Sequence, residues 1–217
     1  MSLPRNEIEL TLAPGSSHSP RQALGFFFRL ITGWLESHQH TSKVRDLVSA
    51  KTRGLIEVQP GHFQWIGSDA VDEIERAIGQ IGGEPLLEDL GLEIARRMGG
   101  GLVKPMLRAA FVLFGDTPAA AFGNLGRFYG VATRGIVFRY LPLGDHVGVV
   151  EARFAGEGTP PEAISVLRGS LRFIFEATRQ EGEVSAAIVD EESIMGTCVR
   201  YRVRWTPAEN APINAFG

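Results

Sequence analysis

An alternating stretch near the carboxyl end constrains the fold of this chain more than any other part. Between Val199 and Trp205 every second residue is apolar. The residues between the apolar ones are Arg200, Arg202 and Arg204. Because successive side chains of a β-strand point to opposite faces of a sheet, this stretch predicts a half-buried strand that is apolar inside and basic outside. Such a strand requires neighbouring strands and a layer packed on its apolar face.

Two predicted hairpins provide the neighbouring strands. Residues 135–141 and 147–154 alternate in polarity on either side of a Gly-Asp turn at 144–145. Residues 183–190 and 196–205 form the second predicted hairpin, around a polar turn. Both hairpins predict antiparallel pairing, because tight turns join only antiparallel neighbours.

An amphipathic helix is predicted between the two hairpins. Thr159 and Glu162 flank a proline pair in a capping-box pattern, and Gly182 is expected to end the helix. Apolar residues recur at helical spacing: Ile164, Leu167, Leu171, Ile174 and Phe175. The last third of the chain therefore predicts a β-β-α-β-β unit.

The rest of the chain predicts mostly helices. Residues 21–38 carry a broad apolar face, and a short helix is predicted at 42–50. Residues 55–66 predict a β-hairpin, because Pro60-Gly61 is strong turn chemistry between apolar flanks. Helices are expected throughout 68–131. The predicted fold class is α+β, a helical layer on an antiparallel sheet of about four or more strands.

Residues that typically begin or end helices divide the helical region. Ser68 is a candidate N-cap, Pro85 suits a first helical turn, and the glycines at 99–101 end a helix. Residues 102–114 predict a helix buried over most of its surface. Thr117 and the proline after it predict the start of the next helix.

The chain predicts a single domain with loose ends. Residues 1–20 contain several prolines and glycines around a short alternating stretch, so they are either a flexible arm or a strand that joins a sheet edge. Residues 21–205 form the expected domain. Residues 206–217 are expected to be a flexible tail.

Composition excludes several classes of function. A net charge of −3 gives no field that would attract nucleic acid. With Cys198 as the single cysteine, an internal disulfide is impossible, so a reducing, cytoplasmic compartment is expected. The apolar stretch Leu24–Leu35 is shorter than the roughly 20 residues of a membrane-spanning helix, so no membrane span is expected. Lysines occur only at Lys43, Lys51 and Lys104, and this bias toward arginine indicates a bacterial source.

No motif predicts catalysis or a resident cofactor. The chain has no Gly-x-Ser-x-Gly elbow, and its five histidines are not paired in sequence with a nucleophile. His38 and His40 are two residues apart, which does not place both on one helical face, so no metal site is expected. The glycine-rich run 99–104 lacks the ending of a phosphate loop, and Cys198 suits a small buried residue. We therefore expect a non-enzymatic protein without a metal ion or cofactor.

Two groups of residues are candidates for binding. Arg200, Arg202 and Arg204 lie about 6–7 Å apart on one strand face, where guanidinium groups could hold a carboxylate, a phosphate or an acidic partner. The alternative is a solvated outer face with acidic cross-strand partners: Glu151, Glu183 and Asp190.

The second group is aromatic and lies on two successive predicted helices. Its members are Phe111, Phe114, Phe122, Phe128 and Tyr129. They predict either the lining of an apolar cavity between helices and sheet, which is a common place for a small ligand, or ordinary core packing.

Three segments resemble a known superfamily. They are residues 84–97 (EPLLEDLGLEIARR), residues 113–118 (LFGDTP) and residues 196–205. Over residues 42–205 the chain is similar to a myxobacterial family in the superfamily of haem-nitric-oxide-binding-like domains, 4-vinyl-reductase-type domains and transport-protein-particle subunits. The resemblance implies an α+β sandwich that binds a small apolar ligand or serves as an assembly subunit.

The chain departs from the haem-binding branch of this superfamily. That branch pairs a proximal histidine with a Tyr-x-Ser-x-Arg motif, and the residues after Tyr129, Tyr140 and Tyr201 do not match it. No predicted helix in the matching region carries a histidine, and residues 84–131 lack the acyl-binding cysteine of some tethering subunits. These departures argue against haem.

We expect a bacterial sensory or regulatory domain that binds a small apolar ligand. The alternative is an interaction module without a ligand, which forms a homodimer or binds a protein partner. Its contact surfaces would be the arginine face, the arm at 1–20 and the apolar helix Leu24–Leu35. An enclosed cavity favours the first expectation, and a filled core favours the second.

Overall fold

A computed structural model describes residues 21–100, 105, 109, 115–156, 159–190 and 196–206. Its helices are α1 (Gly25–Ser37), α2 (Thr41–Leu47), α3 (Ala50–Glu57), α4 (Asp69–Gly100), α5 (Pro118–Gly123), α6 (Leu125–Gly130) and α7 (Pro161–Thr178). Its strands are β1 (Gln22–Leu24), β2 (Trp65–Gly67), β3 (Thr133–Arg134), β4 (Ile136–Gly144), β5 (Val147–Phe154), β6 (Gly182–Val184), β7 (Ile188–Asp190) and β8 (Thr197–Trp205).

The larger sheet confirms the predicted α+β fold class. Its strands follow the order β4-β5-β8-β6, with β7 also paired to β8, and the pairs are antiparallel. The apolar residues of β8 are buried while Arg202 and Arg204 are exposed, as the alternation predicts. The β-β-α-β-β unit is thus present, with its third strand divided into β6 and β7.

A smaller sheet joins the amino-terminal helices to this unit. Its strand order is β2-β1-β3, and β1 directly precedes α1 in the chain. On one side β1 pairs with β2, which directly precedes α4 in the chain. On the other side it pairs with β3, which directly precedes β4. The Leu24 amide also donates to the Ala132 carbonyl at 2.8 Å. The two halves of the structure therefore share backbone hydrogen bonds as well as side-chain contacts.

Two hydrophobic cores lie on either side of this junction. The helical core contains buried residues of α1 to α4, among them Phe28, Ile31, Trp34, Ile74 and Leu90. The sheet core lies between α7 and the inner face of the larger sheet, and among its members are Phe154, Leu171, Tyr201 and Trp205. The apolar face of α1 is buried in the first core, so it is not free for the partner contact that the interaction-module alternative assigned to it.

Backbone contact between α4 and α7 holds the two cores together. A Cβ atom placed on Gly91 of α4 would lie 1.9 Å from the Val166 carbonyl oxygen of α7. A Cβ atom on Gly169 of α7 would lie 2.0 Å from the Glu88 carbonyl oxygen of α4. Both distances are shorter than any non-bonded contact, so only glycine permits the helices to approach this closely.

Ion pairs flank the glycine contact. Arg168 of α7 binds Glu84 at 2.9 Å and also pairs with Glu88. Further along, Arg96 of α4 donates to both carboxylate oxygens of Glu176, at 2.8 and 2.6 Å. These pairs fix the register of α4 against α7, and the partly exposed ones contribute less to stability than the packing does.

A kink divides α4 where the sequence predicts a helix boundary. Gly83 has φ 68°, a left-handed conformation, and Pro85 follows it at the start of the second half. The predicted helices before and after this point are both confirmed. The boundary turns the second half of α4 onto α7.

The hairpin predicted at residues 55–66 is wrong. Residues 55–57 belong to α3, and the stretch after Pro60 enters β2, which pairs with β1 instead. The loop between them covers the start of α1: the Gly25 amide donates to the Gln64 carbonyl at 2.7 Å, and the Phe26 amide donates to the His62 carbonyl at 2.9 Å. The turn residues thus serve a helix terminus that lies far away in sequence.

Two details of the predicted helix caps are also wrong. The N-cap of α7 is Pro160, without a side-chain hydrogen bond, and the Thr159 hydroxyl has no hydrogen-bond partner within the described part of the chain. The helix ends at Thr178 with Arg179 in the left-handed conformation, so Gly182 begins β6 instead of ending the helix. The cap predicted at Thr117 is confirmed, because its side chain accepts from the Ala120 amide.

Several expectations lie outside the described residues. They concern the arm at 1–20, the tail from 207 onward, the polar turn at 191–195 and, except for residues 105 and 109, the predicted helix at 102–114. The proposed division into domains stays a prediction. None of the described helices is both long enough and apolar enough to cross a membrane.

Substitution of the contact glycines tests the account of the α4–α7 interface. We expect Gly91→Ala and Gly169→Ala each to lower the free energy of unfolding by about 1–3 kcal/mol or more, because a methyl group would push backbone away from backbone. Gly54→Ala, in α3 with open space around the site, serves as the control and is expected to leave stability unchanged or raise it by up to about 1 kcal/mol. Urea denaturation measures all three. Equal effects at the three positions would contradict the close contact.

Candidate functional site

A cavity of about 130 Å³ lies between the helical core and the sheet core. It is bounded by both halves of α4, by α6, by α7 and by the small sheet. An engineered apolar cavity of about 150 Å³ is large enough to bind benzene. The space between the two cores is therefore suited to one small molecule with a single ring.

Most of the cavity wall is apolar. The wall includes four phenylalanines from different elements: Phe27, Phe128, Phe154 and Phe173. Ile94 and Met98 of α4 and Val166 and Ile174 of α7 also line the cavity. Such a wall favours an apolar body and leaves the choice between ligands to the few polar groups that interrupt it.

One end of the cavity carries a partly buried ion pair. Arg21, just before β1, donates to the two carboxylate oxygens of Asp72 in α4, at 3.3 and 2.6 Å. The Arg21 guanidinium also lies 5.9 Å from the centre of the Phe154 ring. Burial raises the pKa of Asp72 despite the guanidinium beside it. The pair is well formed, so its two charges largely cancel each other.

Glu75 is the unusual residue of the cavity. It lies on α4 one turn after Asp72, is only 4% exposed and lines the cavity. Its Oε2 atom is buried without a hydrogen-bond partner among the described residues. Burial, and next the negative charge of Asp72, raise the pKa of Glu75 to about 8, so the carboxyl is mostly uncharged at neutral pH.

A second polar pair, Tyr129 and Ser170, also lines the cavity. The Ser170 hydroxyl donates to the Leu167 carbonyl at 2.7 Å, so the Tyr129 hydroxyl, which is hydrogen-bonded to Ser170, is the donor in their contact. Burial raises the pKa of Tyr129 to about 12, which keeps the phenol protonated. The two hydroxyl groups thus have hydrogen-bond partners within the protein and do not require a ligand to provide one.

The structure brings together only part of the predicted aromatic group. Phe128 and Tyr129 line the cavity. Phe122 lies in the sheet core instead, stacked on Tyr140 and in edge contact with Phe175, as the core-packing alternative predicts. Phe111 and Phe114 lie outside the described residues.

The predicted arginine group lies away from the cavity. Arg200, Arg202 and Arg204 do not line it and lie on the outer face of β8. Arg200 pairs with Glu151 at 3.1 Å, and Arg204 pairs with Glu183 at 3.8 Å. These are cross-strand partners of the kind that the solvated-face alternative names. A role for the arginines in binding an anion or a partner stays a prediction.

Sequence reasoning missed the acidic residues of the cavity. Asp72 and Glu75 lie among the apolar residues Val71, Ile74 and Ile78, from which the helix was predicted. Glu75 is four residues after Val71, so it shares the buried face of the helix. A carboxylate at an apolar position of a helical pattern was the signal that could have found it. Among the described residues no cluster of His, Cys, Asp and Glu is placed to hold a metal ion.

No protein-family model and no curated protein sequence matches the chain. Solved structures do match it. An Fe(II) unliganded H-NOX protein from K. algicida superposes with a TM-score of 0.62 at 11% identity, covering 88% of this chain and 100% of that chain. An oxygen-binding H-NOX domain related to soluble guanylate cyclases gives a TM-score of 0.57 at 11% identity, covering 89% and 98%. A structure from work on haem distortion in the H-NOX family gives 0.58 at 12% identity, with the same coverage.

The chain therefore has an H-NOX-like fold. This agrees with the haem-nitric-oxide-binding-like branch of the resemblance seen in the sequence. At this level of identity the likeness concerns the fold alone.

The buried carboxyl predicts a specific dependence of stability on pH. Glu75 has a folded-state pKa of about 8 against an unfolded value of 4.5, so the folded state binds the extra proton between these values. Its contribution to stability is complete below about pH 4.5 and is lost as the pH rises toward and through 8. We expect Glu75→Gln to match the original chain in stability near pH 5 and to exceed it at pH 9, on the order of a few kcal/mol.

Thermal unfolding measured from pH 5 to pH 9 checks this prediction. Glu36→Gln, at an exposed position of α1, is the matched control and should follow the original chain at every pH. Parallel stability curves for Glu75→Gln and the original chain would show that the Glu75 carboxyl is not buried in its neutral form.

Proposed function

We propose that this chain is a sensory or regulatory domain that binds one small, mainly apolar molecule between its helical core and its sheet core, without catalysing a reaction. The observation that carries the proposal is the cavity of about 130 Å³ with an unsatisfied carboxyl in its wall. A filled core would have left the aromatic residues with a structural role only.

The position of the cavity supports a sensory role. Its wall combines residues of both cores and of the small sheet that joins them. A ligand there would contact α4 and α7 together, so it would favour the arrangement of the two helices that fits it best. Residues of β1 and β3 also line the cavity, so a change between the cores would reach the small sheet as well.

The polar groups of the cavity support binding without turnover. Arg21 is occupied by Asp72, and Tyr129 is occupied by Ser170. Neither serine that lines the cavity, Ser68 or Ser170, is hydrogen-bonded to a histidine among the described residues. The arrangement thus lacks the contact between nucleophile and base that acyl-transfer chemistry requires.

Haem does not fit the described cavity. Haem iron takes an axial ligand such as histidine, thiolate or phenolate. The described lining residues include neither a histidine nor Cys198. Tyr129 lines the cavity, but burial raises its pKa to about 12 and so disfavours the phenolate. Met98 also lines it, but a methionine that ligates haem does so together with a histidine as the second axial ligand. The described lining residues include no histidine. The space suits a single ring and not the haem macrocycle.

A cavity-filling substitution tests the proposed function. We expect 2-phenylethanol, a ring with a short polar chain, to bind the original chain with one molecule per chain. Ala95→Phe should abolish this binding, because Ala95 of α4 lines the cavity and a phenyl group there would occupy the space of the probe. Isothermal titration calorimetry measures the binding.

Ala50→Phe provides the control, since it adds the same ring at an exposed position of α3. It should bind the probe as the original chain does. Failure of the original chain to bind, or equal binding by Ala95→Phe, would refute the cavity as a ligand site. Haemin added to the same samples should give no Soret band of a ligated haem. A Soret band that corresponds to one ligated haem per chain would refute the claim that haem does not fit the cavity.

A further inference from the structure

Carboxyl groups outnumber guanidinium groups around Glu75. Arg21 directs two nitrogens at Asp72, so the positive charge nearest to Glu75 is already paired. Glu75 itself makes no ion pair with a described residue, and its Oε2 atom lacks a hydrogen-bond partner. The cavity wall thus contains one more carboxyl at this end than it has guanidinium to balance it.

The other charges that face Glu75 increase the imbalance. Asp72 on the same helix and Glu162 on α7 both disfavour a negative charge on Glu75, whereas Arg21 favours it. Arg134 of β3 also lines the cavity, but its guanidinium lies 4.0 Å from the centre of the Trp65 ring, against which it stacks. A group that enters beside Glu75 therefore meets two guanidinium groups that are already engaged, Arg21 by Asp72 and Arg134 by the Trp65 ring.

Aromatic rings in the cavity wall suit a cation. The Phe154 ring already faces one cation, because the Arg21 guanidinium lies 5.9 Å from its centre. Phe27 and Phe128 also line the cavity. The faces of aromatic rings attract cations, most strongly where water is excluded, whereas they disfavour anions.

We propose that the ligand of this cavity is a small apolar cation, a hydrophobic molecule with one ammonium group, and that the Glu75 carboxylate is its counter-ion. The proposal rests on the proposed function, since it names the chemical class of the molecule that occupies the same cavity. The apolar body would lie along Ile94, Met98 and the aromatic rings, and the ammonium group would provide the hydrogen-bond donors that Glu75 lacks.

Binding of such a ligand has a defined proton balance. Without the ligand the Glu75 carboxyl is mostly protonated at neutral pH, while an aliphatic amine in water is protonated, as lysine is. Formation of the ammonium–carboxylate pair therefore releases one proton from Glu75 to the solvent and leaves the amine charged. No other bond forms or breaks. Affinity should increase about tenfold per pH unit as the pH rises toward the value at which Glu75 ionises.

Three probes of nearly equal size test the proposal: phenethylamine, 2-phenylethanol and phenylacetate. Calorimetry at pH 7 should show the amine binding most tightly, and the heats measured in two buffers of different ionisation enthalpy should report about one proton released. Glu75→Gln should weaken the amine about 10- to 100-fold and leave the alcohol within about threefold. Alcohol binding by this variant shows that its cavity is folded, and Glu36→Gln should bind all three probes unchanged.

Different results overturn different claims. If the alcohol binds but the amine binds no better, or if Glu75→Gln binds the amine as tightly as the original chain does, the cation proposal is wrong while the cavity remains a ligand site. Preference for phenylacetate would assign the polar end to Arg21 and also overturn the proposal. If none of the three probes binds, the proposed function fails and the cation proposal fails with it.

Discussion

The contact of backbone with backbone between α4 and α7 is the constraint on which the rest of the structure depends. Gly91 and Gly169 let the two helices approach until a carbonyl of each lies where the other helix would carry a Cβ atom. The helical core and the sheet core are built on opposite sides of this contact. Gly91 itself and residues one turn beyond the contact, Ile94 of α4 and Ile174 of α7, line the cavity, so the cavity lies directly beside this contact.

The cavity is consequently part of the way the two halves meet, and its polar groups come from that junction. Arg21 belongs to the segment that enters the small sheet, while Asp72 and Glu75 belong to the first half of α4. The ion pair stabilises the meeting of the two segments, and Glu75 remains beside it with a carboxyl that no described residue satisfies. A buried group of this kind costs stability unless a partner completes its hydrogen bonds. This cost is the physical reason for regarding the cavity as a binding site.

Local pattern predicted those parts of the fold whose partners are close in sequence. The alternation from Val199 to Trp205 gave the correct faces of β8, and Pro85 gave the boundary inside α4. The hairpin at 55–66 was wrong because its turn residues bind the start of α1, an interaction that no local pattern encodes. Glu75 was missed for a related reason: a glutamate in a helix is ordinarily exposed, and only the tertiary structure shows that this one is buried.

Determination of a crystal structure under xenon pressure tests the central claim most directly, because xenon occupies dry apolar cavities without help from specific contacts. The account predicts a xenon atom between α4 and α7, beside Ile94 and Phe128, in a chain whose two helices meet at Gly91 and Gly169. A structure in which side chains fill this space and no xenon is bound there would contradict it.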